Sequence, residues 1–296
     1  MIERIIDLSE RAARLSVRHD QLVIAEGGTE HTVPMEDVAV LLLSHPALEI
    51  TQGVVARLME CGGVLVAADS RRLPAGMLLP LEGHHLQTER LREQVSASEP
   101  ARKRVWQQLV RAKVAAQGRV LAEFHGDDAG LAALAGRVQS GDAGGIESQA
   151  ARRYFSRLFG ELPFRRERDG EWPNAMLNYG YMALRAVVAR AIVAAGLHPS
   201  LGVKHHNRYD AYCLAADLME PYRPVIDRAV AAYVLGGGEA EGRLSPALKR
   251  VVLAPLTARY VVEDEERSLF DIAARTAVSL SRALKRTGAP LVLPEV

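Results

Sequence analysis

Two glutamates and one histidine in the second half of the chain are the side chains best suited to chemistry. Helical spacing over residues 144–159 aligns Glu147 with Ala151, Tyr154 and Leu158 on one apolar face. A carboxylate left unpaired on such a face becomes protonated or destabilises the fold, so it requires a cation, a base or a metal ion. The alternative is that Glu147 only stabilises the first turn of a helix, where the macrodipole favours acidic residues.

Glu220 is the second acid in an unusual setting. It follows Asp217 by three residues, so a helix would place both carboxylates on one face, where they repel each other unless a positive charge lies beside them. Residues 209–219 contain no Lys or Arg, although Arg223 stands at i+3 from Glu220. Ordinary surface acidity is the alternative interpretation.

His205 lies in the loop-like segment 202–208, just before the helix predicted for residues 209–220. A loop histidine is more often exposed or a helix cap than a ligand, so its value lies in combination with the two glutamates. Two carboxylates and one imidazole form a mostly oxygen donor set, which suits Mg²⁺ or Mn²⁺ rather than structural zinc. Glu147, His205 and Glu220 are therefore the candidate metal ligands.

The elements that must position these residues change in character near Gly83. Before it, short segments rich in Leu, Ile and Val predict a small β domain with a hairpin turning at His19 and Asp20. One helix is predicted from a Thr51 cap through Glu60. The predicted strands cover residues 2–8, 14–17, 21–25, 32–33, 38–43, 48–50 and 64–67.

From Leu86 onward apolar residues recur every three or four positions, which is the helical period. Besides the region 86–124, helices are predicted at 128–139, 144–159, 174–195, 209–220, 222–235 and 266–286. The sequence therefore predicts an α+β fold: a small N-terminal β-rich domain at 1–83, followed by a larger all-helical C-terminal domain at 84–296 that carries the metal site.

Composition is that of a globular protein, with 48% hydrophobic and 25% charged residues in 296. The net charge of +1 hides an asymmetry: residues 1–83 hold 7 basic and 12 acidic side chains, and residues 84–296 hold 30 and 24. The second domain is thus the better partner for a polyanion. Two cysteines in no metal or redox spacing, and no membrane-length apolar run, favour a reducing cytoplasm and no membrane partner.

Seven phrases, in this order, resemble the CRISPR-associated endonuclease and integrase family known as Cas1, in the branch associated with type II systems. They are EDVAVLLL (36–43), LPLEG (79–83), QQLVRAK (107–113), IESQAARRYF (146–155), NAMLNYGY (174–181), GLHPSLG (196–202) and DLMEPYRP (217–224). The resemblance covers nearly the whole chain. It implies a metal site formed by a glutamate, a histidine and an acidic residue, which fall on Glu147, His205 and Glu220.

The resemblance also implies a function: insertion of short foreign DNA fragments into a CRISPR array, by phosphodiester cleavage and transesterification at one Mg²⁺ or Mn²⁺ site. The implied partners are double-stranded DNA (the prespacer and the CRISPR repeat), a second copy of the chain in a homodimer assembled through the N-terminal domain, and a smaller adaptation protein, Cas2. The resemblance favours His205 over His206 as the ligand, because the spacing of His205 to the acidic residue of the DLME phrase matches the family better. Asp217 is either an outer partner of the ligands or an occasional ligand.

DNA also needs basic side chains along its backbone, and Arg152, Lys204 and Arg208 are the candidates nearest the expected metal ligands. A wider set of basic residues is available in the helical domain: Arg102, Lys103, Arg104, Arg111, Lys113, Arg153, Arg165, Arg166, Lys249 and Arg250. Two other functions fit parts of the sequence. One is a DNA-binding or scaffolding subunit without catalysis, and the other is a small-molecule metallohydrolase, which would surround the ligands with a deep apolar pocket.

Overall fold

A computed structural model describes residues 2–69, 74–167, 170–239, 244–262 and 264–295. The chain divides into two compact units, Met1–His85 and Leu86–Val296, each with its own interior. The division falls two residues after the boundary expected at Gly83.

The described residues of the first unit form two four-stranded sheets and one α-helix. The elements are β1 (Arg4–Leu8), β2 (Ala13–Arg18), β3 (Gln21–Glu26), β4 (Thr29–Pro34), β5 (Val38–Leu43), β6 (Leu48–Ile50), α1 (Gln52–Glu60), β7 (Val64–Ala68) and β8 (Pro74–Leu78). One sheet has the order β1-β5-β7-β8, with the first three strands parallel and β8 antiparallel to β7; the other has the order β4-β3-β2-β6.

Local sequence explains most of this unit. The continuous apolar sequence of β5, VAVLLL, suits a strand that lies between β1 and β7 and is buried along nearly its whole length. The β2–β3 hairpin turns at His19 and Asp20, as predicted, and both residues have positive φ (53° and 56°), as a two-residue hairpin turn requires. Strand β8 was not predicted, since its sequence PAGML lacks β-branched residues.

The second unit is mainly helical. Its elements are α2 (Gln87–Ser96), α3 (Glu99–His125), α4 (Leu131–Gly136), α5 (Ile146–Phe155), α6 (Asn174–Ala194), α7 (Cys213–Leu218), α8 (Arg223–Leu235), α9 (Pro246–Thr257), β9 (Arg259–Val262), β10 (Glu265–Ser268) and α10 (Leu269–Lys285). A short 3-10 turn, Glu220–Tyr222, lies between α7 and α8. None of the described helices is long and apolar enough to cross a bilayer.

The two longest helices, α3 and α6, organise this unit. The Ser98 hydroxyl caps α3 by accepting a hydrogen bond from the Ala101 N–H at 3.3 Å, and the helix ends at Gly126 in the left-handed conformation. Helix α6 is buried along most of its length and packs against α8, α9 and α10. Helix α3 contacts α4, α5, α8 and the 3-10 turn, so it reaches every element expected to carry an acidic ligand.

The prediction of an all-helical second domain is wrong in one place, because β9 and β10 form an antiparallel hairpin. Residues 259–262 read RYVV, a β-branched and aromatic stretch, and Asp264 in the connecting turn has positive φ. Helix α10 consequently begins at Leu269 rather than 266, with the Ser268 hydroxyl as its cap. Helix α9 was not predicted, and the helix expected at 209–220 is limited to α7 and the 3-10 turn.

Candidate metal centre

The two glutamates singled out by their position converge on one lysine. Helix α3 supplies Lys113, whose Nζ lies 2.7 Å from Oε1 of Glu147 and 2.6 Å from Oε2 of Glu220. The lysine is largely buried, with 11% of its side chain exposed. Three separate elements, α3, α5 and the 3-10 turn, therefore bring two negative charges to one positive atom.

Glu147 is held by the start of α5. Gly145 precedes the helix with φ of 61°, and the Asp142 carboxylate accepts hydrogen bonds from the N–H groups of Ile146 (2.8 Å) and Glu147 (3.1 Å). Glu147 does lie in the first turn, where the helix dipole favours it. Its side chain nevertheless extends to Lys113, so the dipole does not account for its position by itself.

Glu220 is the more deeply buried acid, with 7% of its side chain exposed. Its Oε1 lies 2.9 Å from Nε of Arg223, the i+3 partner noted in the sequence. Burial raises the pKa of this carboxyl, but the charges of Arg223 and Lys113 outweigh burial and hold the pKa of Glu220 below its ordinary value. Glu220 is therefore an ionised acid inside the protein.

Asp217 and Glu220 do not face a common partner, which explains how two acids three residues apart coexist. Asp217 is fully buried and accepts hydrogen bonds from the N–H groups of Val203 (2.7 Å) and Lys204 (2.9 Å). Its Oδ1 lies 2.5 Å from Nδ1 of His205. Gly202 permits this tight loop, because a Cβ there would stand 2.3 Å from the His205 carbonyl oxygen.

His205 lies close enough to both glutamates for their charges to act on its imidazole. The hydrogen bond that His205 donates to the Asp217 carboxylate raises the pKa of His205, burial lowers it, and the charges of Asp217, Glu220 and Glu147 raise it further, with a net increase. Because Nδ1 is engaged with Asp217, Nε2 is the nitrogen left to bind a ligand. His206 instead lines a separate cavity, which favours His205 among the two neighbours.

The two carboxylates fit a divalent cation in one specific respect. Oε2 of Glu220 and Oε1 of Glu147 both lie at ion-pair distance from Lys113 Nζ, so two carboxylate oxygens already face one shared cation. In the described ranges, however, no three His, Cys, Asp or Glu side chains stand in a metal-binding cluster. Glu147 and Glu220 share a point that Lys113 fills, and His205 stays outside that pair.

The basic residues expected to contact DNA divide into two groups. Arg152, Lys204 and Arg208 are exposed, and the Arg208 guanidinium lies over the Tyr209 ring at 4.7 Å. Lys113 and Lys249, by contrast, are buried, so neither belongs to a surface that meets the DNA backbone. Both belonged to the wider set of basic residues available for DNA contacts, which was assembled from charge without considering which helix face carried it.

A cavity of about 490 Å³ is lined in part by the loop that carries His205. Its lining includes Gln94, Arg102, His206, Arg208 and Tyr209, and excludes both glutamates. This polar cavity is not the deep apolar pocket around the ligands that a small-molecule metallohydrolase would show.

Comparisons of the sequence with known proteins identify its family. The family model described as CRISPR associated protein Cas1 matches residues 7–264. The CRISPR-associated endonuclease Cas1 of Neisseria meningitidis is 36% identical over 292 residues, which are 98% of this chain and 95% of that protein. The chain belongs to the Cas1 family. As a Cas1-family member it is a CRISPR-associated nuclease, and its resemblance to the type II branch is confirmed by the Neisseria relative.

Solved structures show the same fold at low identity. A casposase bound to integration product superimposes with a TM-score of 0.80 at 19% identity, over 97% of this chain and 92% of the other. A Cas6-RT-Cas1–Cas2 complex gives a TM-score of 0.78 at 18% identity, over 100% of this chain and 36% of the other. The mixed architecture, strand-rich first and helical afterwards, is therefore the Cas1 architecture.

Lys113 is the residue of this centre that the sequence reasoning missed. The signal was present, because Leu109, Lys113, Ala116 and Val120 share one face of α3 by helical spacing. A lysine within that apolar stripe requires a buried anion for the same reason that Glu147 requires a cation.

Proposed function

We propose that this Cas1-family chain cuts and joins DNA at Glu147, Glu220 and His205, with Mg²⁺ or Mn²⁺ held by these three side chains. The observation that carries the proposal is the convergence of Glu147 and Glu220, from different elements, on one positively charged atom. A pair of carboxylates assembled around a cation is what a divalent-metal nuclease requires.

The chemistry is attack by an oxygen nucleophile on a DNA phosphodiester. Water as the nucleophile gives cleavage, and the 3′-hydroxyl of a DNA fragment gives joining, in which one P–O bond forms as another breaks. A divalent cation, when bound, neutralises the charge that develops on the phosphoryl oxygens and lowers the pKa of the attacking hydroxyl. Because the number of phosphodiester bonds is conserved on joining, the reaction needs no external energy source.

The surrounding residues keep this arrangement in place. Asp217 fixes the ring orientation of His205 through Nδ1 and ties the 203–205 backbone to α7, as an outer partner rather than a ligand. Arg223 offsets part of the negative charge of Glu220, so the acid stays ionised although it is buried. Arg152, Lys204 and Arg208 contact the DNA backbone from the exposed surface.

The partners follow from the family. The chain acts on double-stranded DNA, as prespacer and as CRISPR repeat, and it assembles as a homodimer, through the N-terminal unit, with Cas2. Each end of a fragment requires its own strand transfer, and one site acts on one strand, so at least two active copies are needed. Cytoplasmic location agrees with two free thiols, Cys61 and Cys213.

Strand transfer by the purified protein tests the metal assignment. In Mn²⁺, Glu147→Gln and Glu220→Gln should each reduce plasmid nicking and joining of a 3′-hydroxyl fragment by more than about 100-fold, because an amide is a poor ligand for a hard cation. EDTA should abolish both activities of the wild-type protein. Glu161→Gln, at an exposed glutamate, is the matched control and should remain fully active.

Retention of strand transfer by either variant would refute the ligand assignment. Activity that is unaffected by EDTA would exclude a metal mechanism. A protein that binds DNA but neither nicks nor joins it would support the scaffolding alternative.

DNA contacts are tested separately through salt dependence. Replacing Lys204 and Arg208 together by Gln should reduce the slope of log affinity against log salt by about 2, since each phosphate contact contributes about 0.9. Fluorescence anisotropy across a salt series measures the slope. An unchanged slope excludes these two residues, whatever happens to absolute affinity.

A further inference from the structure

Lys113 occupies the position that a metal ion needs. Its Nζ contacts one oxygen of each glutamate, at 2.7 Å for Glu147 and 2.6 Å for Glu220. The other oxygen of Glu220 faces Arg223 at 2.9 Å. Both oxygens of Glu220 are thus already next to a positive group, and a metal can bind Glu220 only by taking one of them over.

Lys113 is easier to displace than Arg223. Arg223 has a second attachment, since its guanidinium lies over the Tyr181 ring at 4.6 Å. Among the described residues, the ion pairs of Lys113 are with Glu147 and Glu220 alone. A lysine ammonium on a flexible four-carbon stem also moves more readily than a planar guanidinium in a fixed geometry.

The charges favour exchange over addition. Glu147, Glu220, Lys113 and Arg223 together are neutral, whereas a divalent cation added to all four leaves two excess positive charges in a largely buried space. Like charges this close repel strongly at low dielectric. Departure of the ammonium from the carboxylates relieves that repulsion and leaves the site with one positive charge, which suits a phosphodiester anion.

We propose that Lys113 is a positioning residue that substitutes for the metal in the metal-free protein, and that a divalent cation binds by displacing its ammonium from Glu147 and Glu220. The proposal rests on the metal site proposed above and adds to it an internal competitor. The lysine keeps the two carboxylates together without a metal, at the expense of metal affinity.

Calorimetric titration with Mn²⁺ tests this competition without relying on activity. Lys113→Met keeps the length and apolar character of the side chain and removes the charge, so it should bind Mn²⁺ more tightly than wild type, by about tenfold, a usual size for coupling between two ligands. Lys103→Met is the matched control, since Lys103 lies on the same helix in an exposed pair with Glu99. The control should bind Mn²⁺ as wild type does.

Chemical labelling of the wild-type protein provides a second measurement if Lys113→Met fails to fold. Acylation of Lys113, measured by mass spectrometry relative to Lys103 in the same sample, should increase when Mn²⁺ is added, because the ammonium is released from its two carboxylates. A lysine with a purely structural role would show the same labelling with and without the metal.

The outcomes separate the two proposals. If Mn²⁺ binds wild type but not Glu147→Gln or Glu220→Gln, the metal site stands. Equal or weaker binding by folded Lys113→Met, or unchanged labelling of Lys113, then overturns the exchange alone. Absence of Mn²⁺ binding by wild type overturns the metal site and the exchange together.

Discussion

Two buried acids in the helical unit are accommodated in opposite ways. Glu220 lies between Lys113 and Arg223, and their charges lower its pKa although burial opposes them. Asp227, seven residues later on α8, is 1% exposed and accepts a hydrogen bond from the Tyr181 hydroxyl. Burial raises the pKa of Asp227, and the tyrosine hydroxyls and Arg223 offset only part of this effect, so the pKa is about 6.

The difference distinguishes a region that can bind a metal, around Glu220, from a region that only stabilises the fold, around Asp227. Cations hold Glu220, and one cation can replace another, so the region around Glu220 is able to exchange a lysine for a metal. Asp227 is held mainly by hydroxyl groups, which a metal does not replace, so it secures the packing of α6 against α8. Arg223 belongs to both regions, since it pairs with Glu220 and lies over the Tyr181 ring.

Removing Arg223 tests most directly whether Glu220 is stabilised by cations. Arg223→Met should lower the free energy of unfolding by about 4 kcal/mol, because Glu220 loses one of its two positive partners inside the protein. Urea denaturation without metal measures it. Arg228→Met is the control: Arg228 lies on the same helix in a half-exposed pair with Glu123, and its loss should cost about 0.5 kcal/mol. Equal losses in the two variants would contradict a special role for Arg223.

The raised pKa of Asp227 predicts a pH effect with a definite sign. A carboxyl that titrates near 6 when folded and near 3.8 when unfolded stabilises the protein below pH 3.8, and this contribution is lost as pH rises through 6. Relative to Asp227→Asn, which cannot ionise, wild type should therefore lose up to about 3 kcal/mol between pH 4 and 7.

Denaturation series of the two proteins across that pH range give the difference, in which most other titrating groups cancel. Asp127→Asn, at an exposed aspartate paired with Arg157, serves as the comparison variant and should show a much smaller trend. If the wild type instead gains stability over Asp227→Asn as pH rises, the pKa of Asp227 is lowered like that of Glu220, and the contrast between the two acids is wrong.

Removal of the Tyr181 hydroxyl is expected to have the smallest effect, and it tests whether the region around Asp227 is independent of the metal site. Tyr181→Phe should cost about 1 kcal/mol of stability, since Asp227 loses a hydrogen-bond donor while the ring under Arg223 remains. Affinity for Mn²⁺ should stay the same. Tyr233→Phe, where the hydroxyl donates to an exposed carbonyl at 3.4 Å, provides the reference and should be nearly neutral. A change in the Mn²⁺ affinity of Tyr181→Phe would show that the regions around Asp227 and Glu220 are coupled.

Charge on apolar helix faces located part of the candidate site from sequence. Glu147 was identified because it falls on an apolar face, and Glu220 because it stands three residues after Asp217 with no Lys or Arg in 209–219. The structure brings both glutamates to Lys113. The same rule applied to α3 would have identified Lys113. It was overlooked because a lysine in a basic domain was taken as part of a DNA-binding surface.

Periodicity predicted the strand-rich first unit, the hairpin at His19 and Asp20, and most helices of the second unit, because these depend on local spacing and turn chemistry. It failed at the β9–β10 hairpin, where two four-residue strands are too short for a clear pattern. Helix α9 was also missed, since Pro246 and Pro255 obscure its apolar spacing.

The sequence by itself determined which side chains are out of place in an apolar setting, because burial is costly for any charge regardless of its partner. Only the tertiary structure decided which charges meet. Lys113, Glu147 and Glu220 come from three elements, and the distances among them depend on how α3, α5 and the 3-10 turn pack. An ion pair forms only when its two charged groups lie within a few ångströms of each other, and the spacing of residues along the chain does not specify which groups come that close.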